Sequence, residues 1–141
     1  MPASGGRRAS GFVPQASEAW PSYRLAKAAQ ADIVDLLAWT EANFGETARL
    51  RYERLLTIAL RDIAAEPERT NSIARSELGE NVRSYHLRYS RERARTEHGV
   101  VIRPRHLLLY RVARADLIGI GRVLHDAMEI ERHLPKDYGD A

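Results

Sequence analysis

The chain has no cysteine among its 141 residues. That excludes disulfides, thiolate nucleophiles and cysteine-based metal centres together. It also makes a reducing cytoplasm the simplest compartment. Lysine is nearly as scarce: Lys27 and Lys136 are the only two, so arginine carries almost all the positive charge. Arginine's planar fork suits carboxylate and phosphate partners, although a GC-rich genome produces the same bias. No apolar run approaches the roughly 18 residues of a membrane span. The opening Met-Pro-Ala-Ser-Gly-Gly-Arg-Arg lacks the apolar stretch of a signal peptide. There is no glycine-rich phosphate loop, because Gly119 and Gly121 fall inside an apolar run that has the character of a strand. His98, with Glu97 or His106, matches no zinc spacing. No metal and no cofactor are expected.

What is present fits one small domain. The chain is 44% hydrophobic, with a net charge of +3. Such mild basicity suits an ordinary solvated surface, an acidic partner or a nucleic acid. Residues 1–21 are rich in Gly, Ser, Ala and Pro without periodicity. They are expected to be a disordered tail, or an extension upstream of the native start. The domain is expected over 22–135, with a C-terminal tail at 136–141.

A first strand is expected over Trp20 to Leu25, with Tyr23 and Leu25 on one face. From Lys27 to Phe44 the spacing is helical, with Ile33, Leu36, Leu37, Thr40 and Phe44 on one stripe and Asp32, Asp35 and Glu41 off it. Gly45 is placed to end this helix. A second helix follows from Glu46 to Glu66, striped by Ala48, Tyr52, Leu55, Leu56, Ala59 and Ile63 and stopped by Pro67. So tight a junction implies an antiparallel helix hairpin. Thr70 to Glu80 has no period and is expected to be a loop.

The period then changes to two. Tyr85, Leu87 and Tyr89 alternate with Ser84, His86 and Arg88, as in a half-buried strand. Leu107 to Val112 suits a central strand, and Leu117 to Leu124 another, joined by a turn at Arg114-Ala115-Asp116. Asp126 to Leu134 is expected to be a short helix ended by Pro135. The segment 90–105 holds five arginines, two glutamates and one histidine. It has the pattern of a solvated hairpin, with Val100 to Ile102 able to extend a β-ribbon. The expected class is α+β: an antiparallel sheet of about four strands packed by an N-terminal two-helix hairpin, ordered strand-helix-helix-strand-strand-strand, with a short C-terminal helix.

Several stretches carry a family resemblance. They are Tyr23-Arg24-Leu25-Ala26-Lys27-Ala28-Ala29-Gln30-Ala31-Asp32-Ile33 at the strand-to-helix junction, Pro67-Glu68-Arg69 after the second helix, Val82-Arg83-Ser84-Tyr85 and Leu108-Leu109-Tyr110-Arg111-Val112 in strands, and the ending from Arg122-Val123-Leu124-His125 through Glu131-Arg132-His133-Leu134. In this order the chain resembles ParE-type toxins of the RelE/ParE superfamily, over roughly residues 22–135. Two features depart from the pattern. Segment 90–105 replaces what is usually a short turn. Ala26 stands at the helix N-cap, where serine is more usual, at a cost of about 1 kcal/mol.

The resemblance implies a cytoplasmic bacterial toxin of a type II toxin–antitoxin system, neutralised by a small acidic antitoxin of ribbon-helix-helix type and assembled with it into a larger complex. Characterised ParE toxins mostly act on DNA gyrase by binding, without a catalytic residue. RelE relatives cleave mRNA on the ribosome, which needs a proton acceptor, a proton donor and cations at the phosphorane. Arg83, His86, Tyr110, Arg111 and His125 would supply them here. A strand histidine is more often a structural hydrogen-bonding residue, and no lysine lies between Lys27 and Lys136. A degenerate toxin that keeps only antitoxin binding is a third reading. Arg83, Arg111, Arg122, His125, Glu129 and Arg132 are the candidates for antitoxin or target binding. By strict alternation Arg122 shares a face with Ile118, Ile120 and Leu124. A bulge at Gly119 or Gly121 re-aims it, or an arginine faces the core and needs a carboxylate from Glu129, Glu131 or a partner.

Overall fold

A computed structural model of the protein describes residues 22–139. The expected N-terminal tail and Trp20 lie outside them. Strand β1 (Ser22–Leu25) leads into helix α1 (Lys27–Phe44) and helix α2 (Glu46–Ala65). Strands β2 (Ile73–Ala74), β3 (Val82–His86), β4 (His106–Arg114) and β5 (Leu117–His125) follow. The α+β class and the helix hairpin hold, and the five strands are ordered β1-β5-β4-β3-β2. The sheet is mixed rather than wholly antiparallel, because β1 runs parallel to β5. The long helical connection makes that geometry accessible.

The stripes define the core, except at Phe44, which is exposed at the end of α1. Ala29, Ile33, Leu36, Leu37 and Thr40 of α1 are buried, as are Tyr52, Leu55, Leu56, Ala59 and Ile63 of α2. They pack on Tyr23, Tyr85, Leu108, Tyr110, Ile118, Ile120 and Val123 of the sheet. Gly45 sits between the helices at φ 94°, a conformation that favours glycine. Ala26 caps α1 without any side-chain acceptor, as its residue type requires. No helix among the described residues is long and apolar enough to cross a membrane.

Four local expectations need correction. Ile73–Ala74 pairs with Ser84 and Arg83 as a short edge strand, inside the stretch expected to be a loop. The strand expected through Tyr89 ends at His86, and Leu87–Ser90 forms a 3-10 turn. The cause is tertiary: the buried Asp62 carboxylate of α2 accepts from Ser90 Oγ at 2.7 Å and Arg93 Nε at 3.1 Å, pulling the chain off the sheet. Within 90–105 a second 3-10 turn covers Glu92–Ala94, and only Thr96 and Gly99 form a bridge. Val100 to Ile102 therefore adds no ribbon.

The C-terminal helix expected over Asp126 to Leu134 is reduced to one 3-10 turn, Ile130–His133. The Asp126 amide instead extends the strand pairing by donating to the Arg105 carbonyl at 2.8 Å, and Met128 N–H closes a turn on the His125 carbonyl. The chain then folds back over the sheet face opposite the helices. There Tyr138 joins Val82 and Leu109, with Leu78 and Ile130 at the margin. Gly121 makes this approach feasible, since a Cβ there would lie 2.7 Å from both Pro135 Cγ and the Tyr138 ring. Gly121→Ala is expected to cost about 2 kcal/mol by displacing this segment. Denaturant unfolding should report the loss, and carboxypeptidase should trim the variant faster. An unchanged trimming rate would contradict the packing described.

Candidate functional site

The antiparallel register gathers chemistry at one end of the sheet. His106 at the start of β4 lies opposite His125 at the end of β5, and His86 ends β3 opposite Leu107. His86 Nδ1 accepts from the Arg88 amide at 3.1 Å, so Nε2 carries the proton and donates to Asp126 Oδ2 at 3.0 Å. Both nitrogens of His86 are thus occupied. Tyr52 OH accepts from the Arg105 amide at 3.1 Å and donates to His106 Nδ1 at 2.9 Å. His125 Nδ1 accepts from the Ala127 amide at 3.1 Å. The His106 and His125 rings meet edge-on, 5.3 Å apart.

Arg105 grips Asp126 through Nε and Nη2, the latter at 2.9 Å. This guanidinium, followed by the His86 hydrogen bond, holds the Asp126 carboxyl well below the usual carboxylate range. Burial, with the charge of His125 second, pushes His106 down to about 4. Burial pushes the Tyr52 hydroxyl up to about 12. His106 is therefore neutral and Tyr52 is protonated at neutral pH.

Two concavities flank this end. The first is a groove of about 310 Å³ between α1 and β5, floored by Leu36, Val123 and Leu124 and rimmed by Trp39, His125 and Met128. Trp39 is 59% exposed and Met128 42% exposed, unusual for such large apolar side chains. Arg122 stands at the groove wall. Residues Leu109 and Tyr110 of β4 pair with Arg122 and Ile120, so Gly121 is the extra residue of a bulge. That bulge re-aims Arg122, and its carboxylate partner is Asp32 of α1 rather than Glu129 or Glu131. Arg122 Nε and Nη2 donate to Asp32 at 2.7 and 3.0 Å. Asp32 also accepts from the Val123 amide at 2.9 Å, just beyond the point where β1 stops. The carboxylate continues the edge pairing that β1 begins.

The second concavity holds about 400 Å³, on the other side of Asp126. Arg88, Arg91, Arg103 and Arg105 line it, with Ile102 and Pro104.

Of the remaining sequence candidates, Arg83 and Tyr110 are cross-strand partners in contact with each other, while Arg111, Glu129 and Arg132 lie apart. Arg83 donates three hydrogen bonds to Ser72, tying down the edge strand. Tyr110 is fully buried and its hydroxyl donates to the Pro67 carbonyl at 2.5 Å. Arg111 stacks on the Tyr138 ring, 4.8 Å from its centroid, on the opposite sheet face. Glu129 and Arg132 pair with each other at 2.7 Å. Of the five ribonuclease candidates, His86 and His125 meet at Asp126 and Arg83 meets Tyr110, but Tyr110 lies three residues along β4 from the partner of His86, about 10 Å away. Sequence reasoning missed Asp32, Tyr52, Arg105 and Asp126, and weighed His106 only as a metal ligand. Asp126 had one signal, its place directly after a strand that ends in histidine. Among the described residues no cluster of three His, Asp or Glu side chains could hold a metal ion.

No curated protein matches the chain. A family model does, described as the ParE toxin of the type II toxin-antitoxin system parDE, and it aligns with residues 23–130. That span runs from β1 through all five strands and both helices to the first residue of the last 3-10 turn. By this match the chain belongs to the ParE toxin family of type II toxin–antitoxin systems.

Proposed function

We propose that this toxin acts by binding, with DNA gyrase in the bacterial cytoplasm as its target, and that a cognate antitoxin silences it. The observation that carries the binding reading is the state of the ribonuclease candidates. Both nitrogens of His86 are committed within the fold. The Tyr110 hydroxyl is held by a backbone carbonyl in the core. Such groups serve the structure first, and a phosphodiester has no shared access to them.

The antitoxin is assigned to the groove beside Trp39. A segment that folds on binding needs apolar anchors to offset its ordering, with charge pairs to fix register. Trp39, Leu36 and Met128 offer the first, and Arg122, His125, Asp32 and Asp35 the second. A small acidic ribbon-helix-helix protein fits such a role, and its dimerisation would build the larger complex. Arg83, Arg111, Glu129 and Arg132 lie outside this groove and are secondary candidates for target contact.

Induced expression without the partner tests the reading. Filamentation and a DNA-damage response with intact mRNA are expected, and His86→Gln, which keeps a donor toward Asp126, should leave toxicity in place. Rapid translation arrest with cleaved mRNA, abolished by His86→Gln, would instead establish the ribonuclease. A harmless wild-type chain would overturn both and leave antitoxin binding alone.

A further inference from the structure

We propose that the arginine basin beside Asp126 is a phosphate site that takes the backbone of a single-stranded nucleic acid. Four guanidiniums face one carboxylate there. That carboxylate is already saturated by Arg105 and His86. The basin therefore presents a net excess of positive charge with donors to spare.

The spare donors can be named. Arg103 is exposed and makes no hydrogen bond or ion pair with any described residue. Arg91 Nε is buried without an acceptor, and the nearest carboxylate oxygen, on Glu92, is 3.8 Å away. Another nitrogen of Arg91 donates to the Ile102 carbonyl at 2.7 Å, which fixes the guanidinium in place. Arg88 lies over the Tyr89 ring, 5.0 Å from its centroid. A buried guanidinium nitrogen without a partner is costly, and an incoming anion relieves that cost. Two non-bridging oxygens let one phosphate engage more than one such fork.

The lining decides between a peptide and a nucleic acid. An acidic peptide that orders on binding needs buried apolar anchors. This basin offers only Ile102 and Pro104, whereas the Trp39 groove offers five apolar side chains. A sugar–phosphate backbone needs no apolar anchor and is held by cations alone. Tyr89 holds the Arg88 cation at the rim, with the guanidinium over its ring and its hydroxyl accepting from Arg88 Nη2 at 3.1 Å. Three of the four arginines come from segment 90–105. The site is separate from the antitoxin groove and independent of the gyrase reading.

The test uses the purified full chain and a fluorescein-labelled single-stranded oligonucleotide of about twelve nucleotides, long enough to span one binding groove. Anisotropy should show binding at low salt. Arg88→Ala with Arg103→Ala should weaken it about tenfold and flatten the dependence of log K on log salt by roughly 1.4, as expected when two fewer phosphates are neutralised. Both residues are exposed, so circular dichroism should be unchanged. Tyr89→Ala should weaken binding several-fold by releasing Arg88 from its position, with the salt slope intact because the charge remains. An oligoglutamate of equal charge should compete poorly. Absence of binding by the wild type overturns the proposal. So does a double variant with unaltered affinity and slope, or an oligoglutamate that competes as well as the oligonucleotide. None of these readouts depends on toxicity, so they fail or succeed separately from the gyrase reading.

Discussion

Asp32→Ala is expected to lower the stability of the fold by about 3 kcal/mol, more than any other single charge removal in the sheet region. The reason is that one carboxylate serves three donors. Two belong to the Arg122 guanidinium and the third is the Val123 amide. Val123 is only 4% exposed, so its N–H finds no ready substitute in water. Arg122 is 21% exposed, so solvent screens part of its loss. The reciprocal change separates these contributions. Arg122→Ala leaves Asp32 bonded to Val123 and should cost about 1.5 kcal/mol. Asp32→Asn, which keeps an acceptor for the amide, should fall between the two. Urea unfolding of the three variants at neutral pH checks the order. Equal costs for Asp32→Ala and Arg122→Ala would mean that the strand-edge hydrogen bond contributes nothing.

Asp32 also shows where sequence reasoning stops. Its position off the apolar stripe of α1 marks it as solvent-facing, and by helical periodicity it is. No spacing links it to an arginine 90 residues later. The link arises from the parallel pairing of β1 with β5, which sets α1 above the end of β5. The helices themselves were legible because stripe, cap and breaker agree at Gly45 and Pro67. The central strands were legible as apolar runs. Register was not legible, and the histidine cluster at the end of the sheet is a matter of register: it places His106 against His125 and brings Asp126 to His86. Leu87–Ser90 misleads for a related reason. Its alternation is real, but the buried Asp62 of α2 outcompetes the sheet for Ser90. Arg122 was flagged by a broken alternation, and Gly121 resolves it. That flag pointed to a structural ion pair on the wall of a groove.

The same sheet end should make the protein sensitive to mild acid. Burial depresses His106 from its ordinary value near 6.5 to about 4 in the folded state. The unfolded chain therefore takes up this proton first. The stabilisation is complete above pH 6.5 and is lost as the pH falls toward 4, to a limit of about 3 kcal/mol. His125 opposes protonation of His106 and Asp126 favours it, so the two neighbours partly cancel. Asp126 acts in a different window. Arg105 and His86 hold its carboxyl low, so its contribution persists through mild acid and disappears only below the usual carboxylate range. His106→Gln can accept the Tyr52 hydroxyl without titrating. It should flatten stability between about pH 6.5 and 4.5 while leaving the steeper loss at lower pH. Unfolding free energies measured across that range distinguish the two groups. A variant whose decline over the same range matches the wild type would remove His106 as the cause, and with it the neutral, Tyr52-bonded imidazole between the groove and the arginine basin.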